Sequence, residues 1–236
     1  MSDSARAGTL RAAMQDGYIT STGLVCPSKG GGSNNGVLYT SEYYLLLFLN
    51  GELTDDDQAK YGVVMTSCFK QPGLLSRNPD GSGGGEGPDD YYGLAAAADA
   101  IAPWIACDVL KYGYKHFGSF NNEDPGKWTS KSFLWRQIQL YCCFKWAAGE
   151  TPNPLFRLYV AISIAVAGFR TPTSDTDARI LSWLVIHVAA KKSATCRVAA
   201  NIWRKRLLKD YPNGMRDVAS LYFGVGSPFS IYWPVS

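Results

Sequence analysis

The chain has 236 residues, of which 46% are apolar and 18% charged, with seven Trp, fourteen Tyr and ten Phe. That is enough length and apolar content for a sizeable core, and it excludes disorder over the whole chain. The net charge of +3 also excludes the pervasive basicity of a dedicated nucleic-acid binder, so nucleic acid is not an expected partner.

The N-terminal stretch MSDSARAGTLRAAMQDG has no hydrophobic segment of signal-peptide type, so a soluble protein made in a cytoplasm is expected. Residues 1–38 read as an arm carrying the glycine-rich loop PSKGGGSNNG. Thr40 or Ser41 is predicted to cap a helix that stops at Asn50-Gly51, which sets Glu42 in the first turn. Thr54, followed by Asp55, Asp56 and Asp57, predicts a helix to about Phe69, its early carboxylates facing the positive end of the dipole. A second glycine loop, SRNPDGSGGGEG, runs into Pro88, Asp89 and Asp90, which open a helix that breaks at Pro103 and resumes to about His116. Further helices are predicted from Thr129 or Ser130 to Ala148-Gly149, and from Asn153-Pro154 to Gly168. Three more are expected, from Ser174 to Ala190, from Ala194 to Lys209 and from Met215 to Phe223. No run alternates with period two, so strands are minor.

YYLLLFL at 43–49, LYVAISIAVAGF at 158–169 and ILSWLVIHVAA at 180–190 are apolar on nearly every face. Such helices are expected to be surrounded by others. The segment from Ala194 instead carries Arg197, Asn201, Arg204, Lys205 and Lys209 at helical spacing. The fold class expected is all-α: a two-layer helical domain of about eight helices over 39–223, with 224–236 as an aromatic tail packed on it or on a partner. In helix order and cap chemistry this layout resembles the (α/α) toroid proteins, whose resemblance implies a central cleft and binding or cleavage of polysaccharides. An irregular helical bundle is the alternative. NNGVLYTSEYY and PDDYYGL are also similar to helical proteins encoded by tailed bacteriophages.

Two carboxyl groups about 5–9.5 Å apart are what glycoside cleavage by general acid and base requires. Glu42, Asp89 and Asp90 are the candidate catalytic residues, on the expectation that their two helices open on one rim. Tyr43, Tyr91 and Tyr92 are candidates for stacking on sugar rings, and Arg77 for holding an acidic substituent. Each carboxylate has an equally physical reading as a first-turn cap. Six cysteines without a CxxC, and only two histidines, give no zinc spacing, so no metal and no cofactor are expected. An enzyme of this kind would be a metal-independent glycoside hydrolase or lyase.

The expected partners are a carbohydrate polymer, or other copies and virion proteins, without membrane insertion. Charge bears on the second possibility. Residues 1–100 hold twelve acids and six bases, whereas residues 101–236 hold eight acids and seventeen bases. That asymmetry favours oriented association between copies. Two functions follow: a phage-type protein that engages and cleaves a cell-surface glycan, or a non-enzymatic structural subunit of a virion or similar assembly.

Overall fold

The computed structural model describes residues 14, 17–25, 36–49, 51–76, 79, 88–116, 134–169, 188–189, 192–199 and 201. Helix α1 spans Gly36–Leu49 and so begins ahead of the predicted cap at Thr40 or Ser41. The reason is what Thr40 bonds to. Its hydroxyl donates to the Gly36 carbonyl (2.6 Å), one turn back, and accepts the Val25 N–H (2.8 Å). The turn at 17–25, closed by a bridge between Ile19 and Val25 and by the Leu24 N–H on the Thr20 hydroxyl (3.0 Å), therefore lies against the start of α1. Met14, Leu24 and Val25, which the sequence places in an arm, are buried in the common core.

Helix α2 (Asp55–Ser67) starts where Thr54 and its aspartates predict it. Thr54 Oγ1 accepts the Asp57 N–H (3.1 Å), and the Asp57 carboxylate accepts the Thr54 N–H (2.9 Å), a complete capping box. Thr54→Ala is expected to lower stability by about 1 kcal/mol, read from the thermal unfolding midpoint. Strands β1 (Phe69–Gln71) and β2 (Leu74–Leu75) follow as a short antiparallel hairpin. Its turn needs Gly73, whose φ is +85° and where any Cβ would run into the Asp108 carbonyl oxygen.

Helices α3 (Pro88–Ala100) and α4 (Pro103–Lys115) start at the expected prolines. Helix α5 (Leu134–Ala147) ends at the predicted Ala148-Gly149; its predicted start at Thr129 or Ser130 lies outside the described residues. Helix α6 (Pro154–Phe169) is capped by Asn153, whose Oδ1 accepts the Leu155 N–H (2.9 Å). Helix also covers 194–199; the helix expected at 215–223 and the tail at 224–236 lie outside the described residues. The described residues are mostly helical, with this one small sheet, and none of their helices is long and apolar enough to cross a membrane.

Helices α1, α3 and α5 pack on one another in succession, while α2, α4 and α6 each pack on the helix that precedes them. Nearly every described side chain of α1 and α3 is buried. Helix α6 departs from expectation. It buries Val160, Ala161 and Ile164 but leaves Leu155, Leu158 and Ile162 at least half exposed. A mostly apolar helix thus packs on α5 with one face and leaves apolar residues of another face exposed.

Candidate functional site

The site proposed from sequence lies where α1 meets α3. Asp90, in the first turn of α3, reaches across so that its Oδ1 accepts the Leu38 N–H of α1 (3.1 Å). Leu38 is the third residue of α1, so its N–H has no partner within its own helix. Asp90 therefore caps a neighbouring helix. The approach is close because Gly93, one turn on, packs against Leu38: a Cβ there would stand 3.1 Å from the Leu38 Cα.

Glu42 does not open its helix. It stands four residues, about 6 Å of rise, beyond Leu38, and both Glu42 and Asp90 are 0% exposed. Glu42 and Asp90 are thus buried in the core rather than set at an open rim. Asp89 lies in the first turn of α3; its side chain, and Arg77 altogether, lie outside the described residues.

The tyrosines predicted to meet substrate are core residues. Tyr91 is 0% exposed, and its phenol oxygen accepts the Leu75 N–H (3.0 Å), which ties the hairpin to α3. Tyr92 donates to Gln139 Oε1 (2.7 Å), Gln139 Nε2 donates to Ser163 Oγ (2.6 Å), and Ser163 donates to the Val160 carbonyl (2.7 Å). That chain links α3, α5 and α6 through polar groups that would be costly if buried without partners. Tyr43 packs edge-on against Tyr44 (5.1 Å between ring centres), and Tyr44 tilts against Tyr61 (5.4 Å). Tyr61 shares a hydrogen bond with Ser41 (3.1 Å), and burial pushes its phenol well above the ordinary range. The hydroxyls of Tyr61, Tyr91 and Tyr92 thus have structural partners, which spacing along the sequence does not disclose.

Reading the sequence missed two surface features. The first is an open groove between α2 and α4, lined by Gln58, Gly62, Val63, Thr66 and Trp104. The Trp104 ring lies 3.1 Å from where a Gly62 Cβ would be, with half of the residue exposed. Two polar side chains of that groove are already engaged: Gln58 donates to the Ile101 carbonyl (2.6 Å) and Thr66 to the Gly62 carbonyl (2.8 Å). The second is the open face of α6. Its apolar residues fall on nearly every face, which hid the side that would be covered.

No three His, Cys, Asp or Glu side chains stand together as a metal site requires among the described residues. The cysteines behave as small apolar groups. Cys68, Cys142, Cys143 and Cys196 are buried and Cys107 is exposed. Burial pushes Cys68 and Cys142 up to about 12, and raises Cys143 and Cys196 as well. The thiolate is the reactive form. Among these five, Cys107 alone is expected to take up iodoacetamide in the folded protein at pH 8, with the others labelled only after denaturation; peptide mass spectrometry checks this. The unfolded chain ionises these thiols near their ordinary 9.0 while the fold keeps Cys68 and Cys142 protonated to about 12. The folded state then holds more protons across that interval, so this contribution to stability falls as pH rises from 9 towards 12.

Comparison of the chain with protein-family models, with curated proteins and with solved structures finds no match.

Proposed function

We propose that this chain is a non-enzymatic structural subunit of a larger assembly, of virion type, rather than a glycan-cleaving enzyme. The observation that carries this reading is the use made of the two candidate carboxylates. A general acid and a general base must both reach the bond they cleave. Glu42 and Asp90 are instead fully buried, and Asp90 is spent on capping α1. Carboxylates built into the packing between two helices serve the scaffold.

The arrangement we propose for the whole chain is the two-layer (α/α) toroid, with α1, α3 and α5 inside and α2, α4 and α6 outside. Its support is the succession of contacts among alternate helices. The asymmetry of charge between residues 1–100 and 101–236 supports oriented docking of one subunit on the next. Such contacts weaken with ionic strength because salt screens charges beyond about 10 Å at 0.1 M.

The test is a screen of the purified chain against bacterial surface polysaccharides, beside light scattering of its mass at low and high salt. The expected outcome is no depolymerisation, with association at low salt that fades at high salt. Depolymerisation by the wild type that is lost in folded Glu42→Gln and Asp90→Asn variants would overturn this reading in favour of the hydrolase.

A further inference from the structure

The side of α2 that lines the groove beside Trp104 runs from Asp55 to Ser67, about 18 Å at helical rise. Its middle is apolar, with Val63 71% exposed and Trp104 50%. Its N-terminal end is acidic: Asp55 and Asp56 are both exposed there. The one base of α2 is Lys60, and it pairs with Asp56. Open apolar surface beside charge of one sign is the make-up of a surface that meets a partner.

The same chain carries a surface of opposite charge. Around the helical stretch 194–199, Ser193, Cys196 and Ala199 are buried, and the Cys196 Sγ lies 3.8 Å from the Arg157 carbonyl of α6. The other side is exposed: Ala194, Arg197, Val198 and Asn201 recur at helical spacing there, with Val198 at 64%. Residues 191–209 hold seven bases and no acid. From Ala194 to Asn201 this face is about 10 Å long, so it fits within the length of the groove.

We infer, resting on the reading of the chain as a structural subunit, that the groove between α2 and α4 receives the face carried by Ala194, Arg197, Val198 and Asn201 of a second copy. Charge selects this occupant. Arg197 meets the end of the groove at Asp55 and Asp56, whereas a second α2 would bring no base except Lys60, which its own Asp56 already holds. Val198 meets the apolar middle formed by Val63 and Trp104, which is the helix-in-groove mode of recognition. Each copy offers one groove and one helix face. The contact therefore repeats head to tail, into a ring or a filament, and does not close as a two-fold pair.

The experiment uses the full chain and reads its mass by light scattering at low salt. Asp55→Lys with Asp56→Lys makes the groove basic, and Arg197→Glu with Asn201→Glu makes the helix face acidic. Each double variant alone is expected to associate about tenfold more weakly than the wild type, because like charges then meet. An equimolar mixture of the two is expected to recover association, since each basic groove then finds an acidic face and each acidic groove a basic one. That recovery also shows that both variants are folded. In the otherwise unchanged chain, Val63 replaced by the photo-crosslinker p-benzoylphenylalanine is expected to crosslink two chains, with the second peptide inside 192–201 by mass spectrometry. Variants that associate like the wild type, a mixture that stays apart, or a crosslink within one chain or to another segment would overturn the inference. The structural-subunit reading survives those results as long as the wild type associates. Depolymerisation of a polysaccharide would overturn that reading whatever the variants do, and a wild type that stays monomeric at low salt would overturn both.

Discussion

Gly93→Val is expected to lower the unfolding free energy by about 3 kcal/mol, seen as a leftward shift of the urea midpoint with an unchanged slope. Gly93 sits in α3 where that helix presses on α1. A Cβ there would fall 2.8 Å from Leu38 Cδ1 and 3.1 Å from Leu38 Cα. The methyl end of a leucine can turn aside, but the Cα belongs to the helix, so α1 and α3 must separate. These two helices form the most extensive packing pair among the described elements, and a few tenths of an ångström along that length loosens many contacts at once. Gly93→Ala is the graded control. Alanine gains roughly 1 kcal/mol of helix propensity over glycine, which offsets part of the clash, so its net loss is expected to be about 1 kcal/mol. An Ala variant as damaged as the Val variant would mean that the helices cannot yield at all. A Val variant as stable as the wild type would mean that the helices are not locked at this point.

This contact also shows which parts of the fold were legible beforehand. Helix starts marked by side-chain chemistry were readable: Thr54 with Asp57, Asn153 with Pro154, and the prolines at 88 and 103 act within a few residues of themselves. The start of α1 was not. Thr40 and Ser41 have the right residue types for a cap, but Thr40 is satisfied by Val25, fifteen residues away, and Ser41 by Tyr61. Once the turn at 17–25 supplies those partners, the helix extends back to Gly36 and Glu42 moves from a first turn into a buried interior. The pairing of α1 with α3 was the expectation behind placing their carboxylates on one rim. Its depth was not, because Gly93 reads as an ordinary helix glycine until Leu38 is seen beside it. Likewise Tyr91 and Tyr92 look like a binding platform in PDDYYGL, and only the positions of Leu75 and Gln139 make them structural.

Asp90→Ala is expected to destabilise the fold by about 2 kcal/mol, and the sign of that change bears directly on function. The substitution removes the acceptor of the Leu38 N–H and leaves a donor at the buried start of α1 with no helical partner of its own. Asp90→Asn keeps an amide oxygen that can accept the same bond, so its loss is expected to be smaller. A catalytic carboxylate behaves in the opposite way. Active sites hold their charged groups at a cost to stability, so removing one commonly leaves the fold as stable or more so, while activity collapses. Chemical denaturation of the wild type, Asp90→Asn and Asp90→Ala, in that order of falling stability, is therefore the pattern of a cap. Variants more stable than the wild type would reopen the case for catalysis at this pair. Glu42→Gln belongs in the same series, because it alters a second fully buried carboxylate, one turn beyond Leu38 on α1. If the loss at Asp90 arises from the Leu38 bond, the double variant Glu42→Gln with Asp90→Ala should show whether the two carboxylates act as one unit. Additive losses within about 0.5 kcal/mol would mark them as independent pieces of the scaffold.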